Sequence, residues 1–240
     1  MSNKRRVGLT DLSELAIDGA LCISLRERQD RRDLFEEQFA DSGLQVEYLL
    51  VERDGEDPQR GCYDSHLRCA ALALERGYRR VLIFEDDATL EPFGRKTVLR
   101  INSFLEARQP EIFYLGVILG KIWLTWHLGV ARARGQGAHA YILSADGCRK
   151  VLALGAYSGR GIDNYYSKIF TGFCSFPMLS QQQPENTCAS DIQAFRGGGV
   201  GYVDAFWKGN WRRQYWQAFK GLPKTLLGML RDILFGRVKA

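Results

Sequence analysis

Residues 21–85 alternate three short apolar runs with two stretches of helical character, and this alternation restricts the chain to few architectures. The run LCISL, residues 21–25, suits a buried strand. The following RERQDRRDLFEEQFADSG places Phe35 and Phe39 on one helical face and has Gly43 as a stop. QVEYLLV is a second strand. RGCYDSHLRCAALALERGYRR reads as a turn at Gly61, a helix capped by Asp64 or Ser65 and running through Glu75, and a stop at Gly77. VLIF, residues 81–84, is a third strand. Strand and helix in this alternation imply an α/β fold with parallel pairing.

Downstream, EIFYLGV and GAHAYILS are further strands, and SADGCRKVLALG is a helix with Ser144 as its cap. Residues 116–137 are glycine-rich and carry Trp123, Trp126 and His127, a pattern open to either a loop over a pocket or a hairpin. A chain of 240 residues accommodates one α/β domain with an appendage. The division expected is an N-terminal extension at 1–20, a main domain at 21–205 and a tail at 206–240. Residues 1–20 lack an apolar core followed by a small-residue cleavage site, so a cytoplasmic location is expected. The six cysteines show no CxxC spacing and several sit in apolar runs, which reads as reduced, structural thiols rather than a zinc site or disulfide framework.

The formal net charge of +5 is localised in the tail. From Trp207 onward there are eight Lys or Arg and one acid, leaving 25 basic and 27 acidic residues in the remainder. Within this tail Leu226, Leu227, Leu230, Ile233 and Leu234 share one helical face among interleaved aromatic and basic residues. Such a basic amphipathic helix suits an anionic membrane surface, which would place the protein peripherally at the inner face of the cell membrane. Packing of the same face onto the main domain is the competing reading. Nucleic acid is set aside, because no recognised module accompanies the basic and aromatic residues.

The third strand ends in Glu85, Asp86 and Asp87. Like charges this close repel, and burying any of them unpaired is costly, so they require a solvated turn or a cation. In a parallel α/β sheet the carboxyl ends of strands are where ligands bind. Glu85 and Asp87, first and third on an extended turn, point the same way and suit a hard divalent ion, Mg²⁺ or Mn²⁺.

The ordered stretch GCYDSHLRCAALALERGYRRVLIFEDDATL closely resembles glycosyltransferase family 25, with its Gly-Cys, Ser-His, helix, apolar strand and Glu-Asp-Asp succession. ISLRERQDRR resembles the family's first strand and Arg-rich turn, HAYILSADGCRKVL its Tyr-containing strand and helix, GIDNYYS its Ile-Asp segment and PENTCASDI its Ser-Asp-Ile. The resemblance covers residues 21–192.

What it implies is a GT-A-like nucleotide-sugar-binding fold with a central, mostly parallel sheet, followed here by the basic helical tail. It further implies inverting transfer of a hexose, most often galactose, from a UDP-sugar to a saccharide hydroxyl of a lipopolysaccharide-type or other lipid-linked glycan. A metal held by Glu85 and Asp87 would stabilise departing UDP, with His139 as a candidate third ligand suited to Mn²⁺ and a structural histidine in a strand as its other reading. Inversion needs a base opposite the leaving group; Asp163 is the candidate, with a helix cap as its other reading, and Asp191 is the reserve. Asn164 follows Asp163, so a second acid is missing there. Ser65 and His66 at a helix N-terminus, Asp86, and the arginines Arg28 and Arg31 are the expected nucleotide contacts. A non-catalytic binding module of the same fold and a nucleotidyltransferase are the rivals. A complete acidic turn speaks against the first, and the absence of glycine from LRERQDRR speaks against the second.

Overall fold

A computed structural model of the chain describes residues 11–183 and a set of helical positions between 215 and 234. The first half follows the expected alternation: β1 (Gly19–Leu25), α1 (Gln29–Phe39), β2 (Val46–Val51), α2 (Pro58–Glu75), β3 (Arg80–Glu85) and α3 (Arg95–Arg108). The second half contains β4 (Ile112–Tyr114), β5 (Leu119–Leu124), β6 (Val130–Gln136), β7 (Ala140–Ser144), α4 (Ala145–Leu152), α5 (Ile162–Ile169) and β8 (Gly172–Ser175). The eight strands among the described residues join one sheet in the order β2-β1-β3-β7-β4-β8-β6-β5.

The central strands are apolar throughout because the sheet is covered on both faces. Alternate residues serve different cores. Leu21, Ile23, Val81, Ile83, Tyr141 and Leu143 pack with Tyr63, Ala70 and Tyr166 on the side of α2, α4 and α5. Ala20, Cys22, Leu82, Phe84 and Ile142 pack with Phe35 and Phe39 of α1 and with Ile101 and Phe104 of α3 on the other. Leu12 and Leu15 join this second core, so residues ahead of β1 are part of the packed body.

The α/β class is as expected, but the sheet is mixed rather than mostly parallel. Pairs β1–β2, β1–β3 and β4–β8 are parallel, and the other four are antiparallel. The reason lies in the glycine-rich stretch, which is the β5–β6 hairpin. This hairpin returns the chain to the carboxyl end of β3, so β7 enters antiparallel, with Phe84 opposite Ala140. That register brings His139 beside the strand end, where its carbonyl accepts the Glu85 N–H at 2.9 Å.

Helix α2 starts at Pro58, two turns before the expected caps Asp64 and Ser65. Asp57 is the N-cap, its side chain accepting from the N–H groups of Gln59 at 2.9 Å and Arg60 at 3.3 Å. Gly61 is therefore not a turn. It lies inside the helix, where a Cβ would sit 3.0 Å from the Asp54 Cβ, so glycine allows the first turn to approach the preceding loop.

Tyr215 and Ala218 attach the tail to the domain. The Tyr215 hydroxyl accepts the Met178 N–H at 3.2 Å, its ring lies 5.1 Å from that of Phe176, and Ala218 is buried. Trp216, Phe219, Leu226, Leu227, Leu230 and Leu234 are instead 53–78% exposed. Among the described residues no helix is long and apolar enough to cross a membrane.

Because Asp57 satisfies two of the orphan amides of α2, Asp57→Ala should lower the unfolding free energy by about 1 kcal/mol. Urea unfolding should show an earlier midpoint at unchanged slope, and Asp57→Ser should recover most of the loss.

Candidate functional site

The carboxyl ends of β1 and β3, the first turns of α1 and α2 and the segment after β8 enclose one cavity. Its wall includes Ser24, Arg31, Arg53, Cys62, Ser65, His66, Glu85, Asp86, Asp87 and Gln182. Asp86 and Asp87 of the acidic turn are thus buried rather than solvated, and Glu85 is only partly exposed.

Arg31, in the first turn of α1, places Nη1 2.9 Å from Asp86 Oδ1 and Nη2 2.9 Å from Asp87 Oδ2. One guanidinium fork so bridges two buried carboxylates, a geometry an ammonium does not offer. Burial nevertheless pushes the Asp86 carboxyl above its usual range against the opposing charge of Arg31. Asp87 is pushed up to about 7, by burial first and by the charges of Glu85 and Asp86, with Arg31 opposing. Glu85 behaves differently: burial raises it, but the hydrogen bond of His66 and the charge of Arg31 bring it below the ordinary value.

Glu85 divides its two oxygens. Oε1 lies 3.1 Å from His66 Nε2, and His66 Nδ1 lies 2.7 Å from the Tyr141 hydroxyl, which is 3.1 Å from that of Tyr166. The other oxygen, Oε2, faces the Gln182 amide nitrogen at 3.3 Å, and that nitrogen also lies 3.3 and 3.4 Å from the two Asp87 oxygens. A positively polarised donor therefore occupies the point on which Glu85 and Asp87 converge. This all-oxygen pair fits a hard divalent cation.

The remaining expected residues are placed as follows. Arg28 is the N-cap residue of α1 and donates to Asp30 at 2.8–3.2 Å; it does not line the cavity, although its charge reaches Asp86. Arg31 reaches the cavity already engaged with two acids. Ser65 and His66 line it from the interior of α2, so the backbone amides of a helix N-terminus are not available there; the Ser65 hydroxyl donates to the Gly61 carbonyl at 2.6 Å. His139 is buried, with Nε2 3.3 Å from the Ser180 carbonyl oxygen and Nδ1 lacking a hydrogen-bond partner. Burial holds its imidazole below its usual range, hence neutral. It does not join Glu85 and Asp87 in a three-ligand cluster; among the described residues the trio of ligating atoms that converges is Cys62, His66 and Glu85. Asp86 Oδ2 is buried without a hydrogen-bond partner.

Asp163 is the second residue of α5, whose N-cap is Gly161, so the carboxylate does not cap the helix. Burial raises its pKa, eased by the N–H groups of Asn164 and Gly137, and the charge of Glu85 adds to the rise. Asp191 lies outside the described residues.

Sequence reasoning missed Gln182, which sits in a run of three glutamines with no distinguishing spacing, and Tyr141 as the partner of His66. It also missed the Asp57-Pro58 pair, although an acceptor followed by proline is a readable helix start.

Two curated proteins, each described as a glycosyltransferase 25 family member, are similar to this chain. The Drosophila melanogaster protein is 29% identical over 132 residues, 43% of this chain and 22% of that protein. The Drosophila pseudoobscura pseudoobscura protein is 27% identical over 132 residues, 43% of this chain and 21% of that protein. The sequence likeness is to glycosyltransferase family 25. The chain spans about a fifth of the length of these family 25 relatives. No family model matches. Among solved structures, A197 from STIV has a TM-score of 0.45 at 12% identity, covering 68% of this chain and 92% of its own. A glycosyltransferase involved in glycosylation of the major capsid of PBCV-1 has a TM-score of 0.45 at 10% identity, covering 73% and 96%.

An aspartate raised from 3.8 to about 7 keeps its proton in the folded state over an interval where the unfolded state has lost it. Stability contributed by that proton declines as pH rises through this interval. In chelator-containing buffer the unfolding free energy of the wild type should therefore fall between pH 4 and 7 relative to Asp87→Asn, by at most about 1.4 kcal/mol per pH unit. Parallel urea titrations of the two proteins at several pH values measure the difference.

Proposed function

We propose that the chain is a metal-dependent glycosyltransferase of the GT-A type that transfers a hexose, galactose foremost, from a UDP-sugar to a saccharide acceptor with inversion. The observation that carries this reading is the convergence of Glu85 and Asp87 on the Gln182 amide within a cavity at the ends of β1 and β3. The family 25 likeness supplies the reaction class. Glu85 and Asp87 would hold Mn²⁺ or Mg²⁺ in place of that amide, and the ion supplies charge stabilisation for the departing diphosphate.

Arg31 contributes indirectly, holding Asp86 and the turn so that Asp87 presents toward the cavity. Ser65 lines the wall facing the donor. Asp163 is the proposed general base: its carboxyl is neither a cap nor ion-paired to Arg31, and its raised affinity for a proton suits proton removal from a hydroxyl. Asp191 remains the reserve base.

The acceptor reading is a lipid-linked surface glycan, met at the cytoplasmic face of a membrane. What supports it is the tail, whose net charge from Trp207 onward is +7 and whose apolar residues Trp216, Phe219, Leu226, Leu227, Leu230 and Leu234 recur at helical spacing on the exposed side while Tyr215 and Ala218 dock. Packing on the domain thus leaves the apolar stripe uncovered, as an interfacial helix on anionic lipid requires.

Calorimetric titration of UDP-galactose, with UDP-glucose and UDP-N-acetylglucosamine alongside, tests the donor site. Binding should require Mn²⁺ and be lost in Asp87→Asn. Asp163→Asn should keep donor binding and lose turnover by about 10²–10⁴-fold, the range of a general base. Absence of binding to every donor removes the reading.

For the tail, the wild type should sediment with anionic vesicles and Leu227→Asp/Leu230→Asp should stay in the supernatant. Equal sedimentation of both proteins would exclude the stripe as the membrane contact.

A further inference from the structure

The cavity wall carries a second group of ligating atoms. Cys62 and His66 stand four residues apart on α2, which puts them on one face of the helix, and Glu85 meets them from the end of β3. The Cys62 thiol sulfur, a His66 ring nitrogen and a Glu85 carboxylate oxygen all lie within 4.8 Å of one another, and among the described residues no other trio of His, Cys, Asp or Glu does so.

The imidazole is held for this task. His66 is fully buried, and Nδ1 is tied to the Tyr141 hydroxyl at 2.7 Å, which leaves Nε2 facing Glu85 Oε1 at 3.1 Å. Tyr166 fixes Tyr141 in turn at 3.1 Å. An outer partner on the second ring nitrogen is the arrangement that orients a metal-bound histidine. The opposite Glu85 oxygen faces Gln182 and Asp87, so this group uses the half of Glu85 that the all-oxygen pair leaves.

We propose that Cys62, His66 and Glu85 form a zinc-selective site, with three protein ligands and a fourth position open to the cavity. Thiolate and imidazole donors favour Zn²⁺ over Mg²⁺ or Mn²⁺, and three ligands with one open position is a recurrent zinc arrangement. Charge also balances: one thiolate and one carboxylate neutralise the dication. Binding releases the Cys62 proton to solvent, while the imidazole exchanges its Nε2 proton for one on Nδ1, where it donates to the Tyr141 oxygen. Neither oxidant nor reductant is involved.

Cobalt(II) titration of the full chain is the test, because a thiolate ligand gives cobalt a charge-transfer absorption that oxygen ligands do not. A single equivalent should produce that band, and a single equivalent of Zn²⁺ should remove it. Cys62→Ser, which preserves side-chain volume and leaves the five other cysteines in place, should abolish the band. Glu85→Gln should weaken cobalt binding at least about tenfold, the lower end of what an outer-shell partner alone contributes. Asp87→Asn should keep the band. Lack of a band in the wild type, its persistence in Cys62→Ser, unchanged affinity in Glu85→Gln, or its loss in Asp87→Asn overturns the site. A wild-type band that follows this pattern in a protein binding no UDP-sugar upholds the zinc site and rejects the donor reading alone.

Discussion

The guanidinium of Arg31 is the interaction on which the arrangement of the site depends. Three consecutive carboxylates at a strand end would otherwise demand solvent or an ion, and Asp86 and Asp87 are nearly excluded from solvent. The two arms of Arg31, each 2.9 Å from a different carboxylate, make that burial tolerable. Removing one partner of such a group leaves an uncompensated buried charge, typically a cost of about 3–5 kcal/mol. The position of α1 follows from this: its first turn must lie over the end of β3. Phe35 and Phe39 further along the same helix complete that seating, packing their rings against Phe84 with centroids 5.4 and 4.8 Å apart.

With Arg31 committed to Asp86 and Asp87, Glu85 is left to connect two sets of neighbours. One oxygen belongs to the His66–Tyr141–Tyr166 chain in the core between α2 and the sheet, and the other to Gln182 and Asp87. The three acids are therefore not equivalent despite their adjacency. Asp86 is tied to Arg31, Asp87 is pushed up to about 7 by burial, and Glu85 is held below its usual range, against burial, by the hydrogen bond of His66.

Much of the first half was legible because local signals there agree with tertiary ones. Apolar runs were strands, Phe35 and Phe39 did face the core, and the acidic turn did close a cavity. The start of α2 was misread because Gly61 resembles punctuation, whereas a close backbone approach to Asp54 is what requires glycine there. The antiparallel entry of β7 depends on where the β5–β6 hairpin leaves the chain, which no periodicity encodes. Both His66 and Arg31 line the cavity, but their partners could not be read locally, since Tyr141, Glu85, Asp86 and Asp87 are remote in sequence. Cysteine spacing likewise conceals the Cys62 group, whose ligands come from one helix face and a strand end rather than from a CxxC pair.

The topology also sets an order of assembly. During synthesis β1, β2 and β3 emerge first and can pair among themselves, yet the other edge of β3 is closed only by β7. Gln182, which spans Glu85 and Asp87, is 97 residues downstream of Glu85. Until those segments arrive, a nascent chain presents an open apolar strand edge, the kind of surface through which incomplete chains associate. Beside it stand three acids, and charge at an exposed strand edge opposes association with another chain. The charge that later serves the cavity can thus protect the unfinished sheet while the rest of the chain is being made.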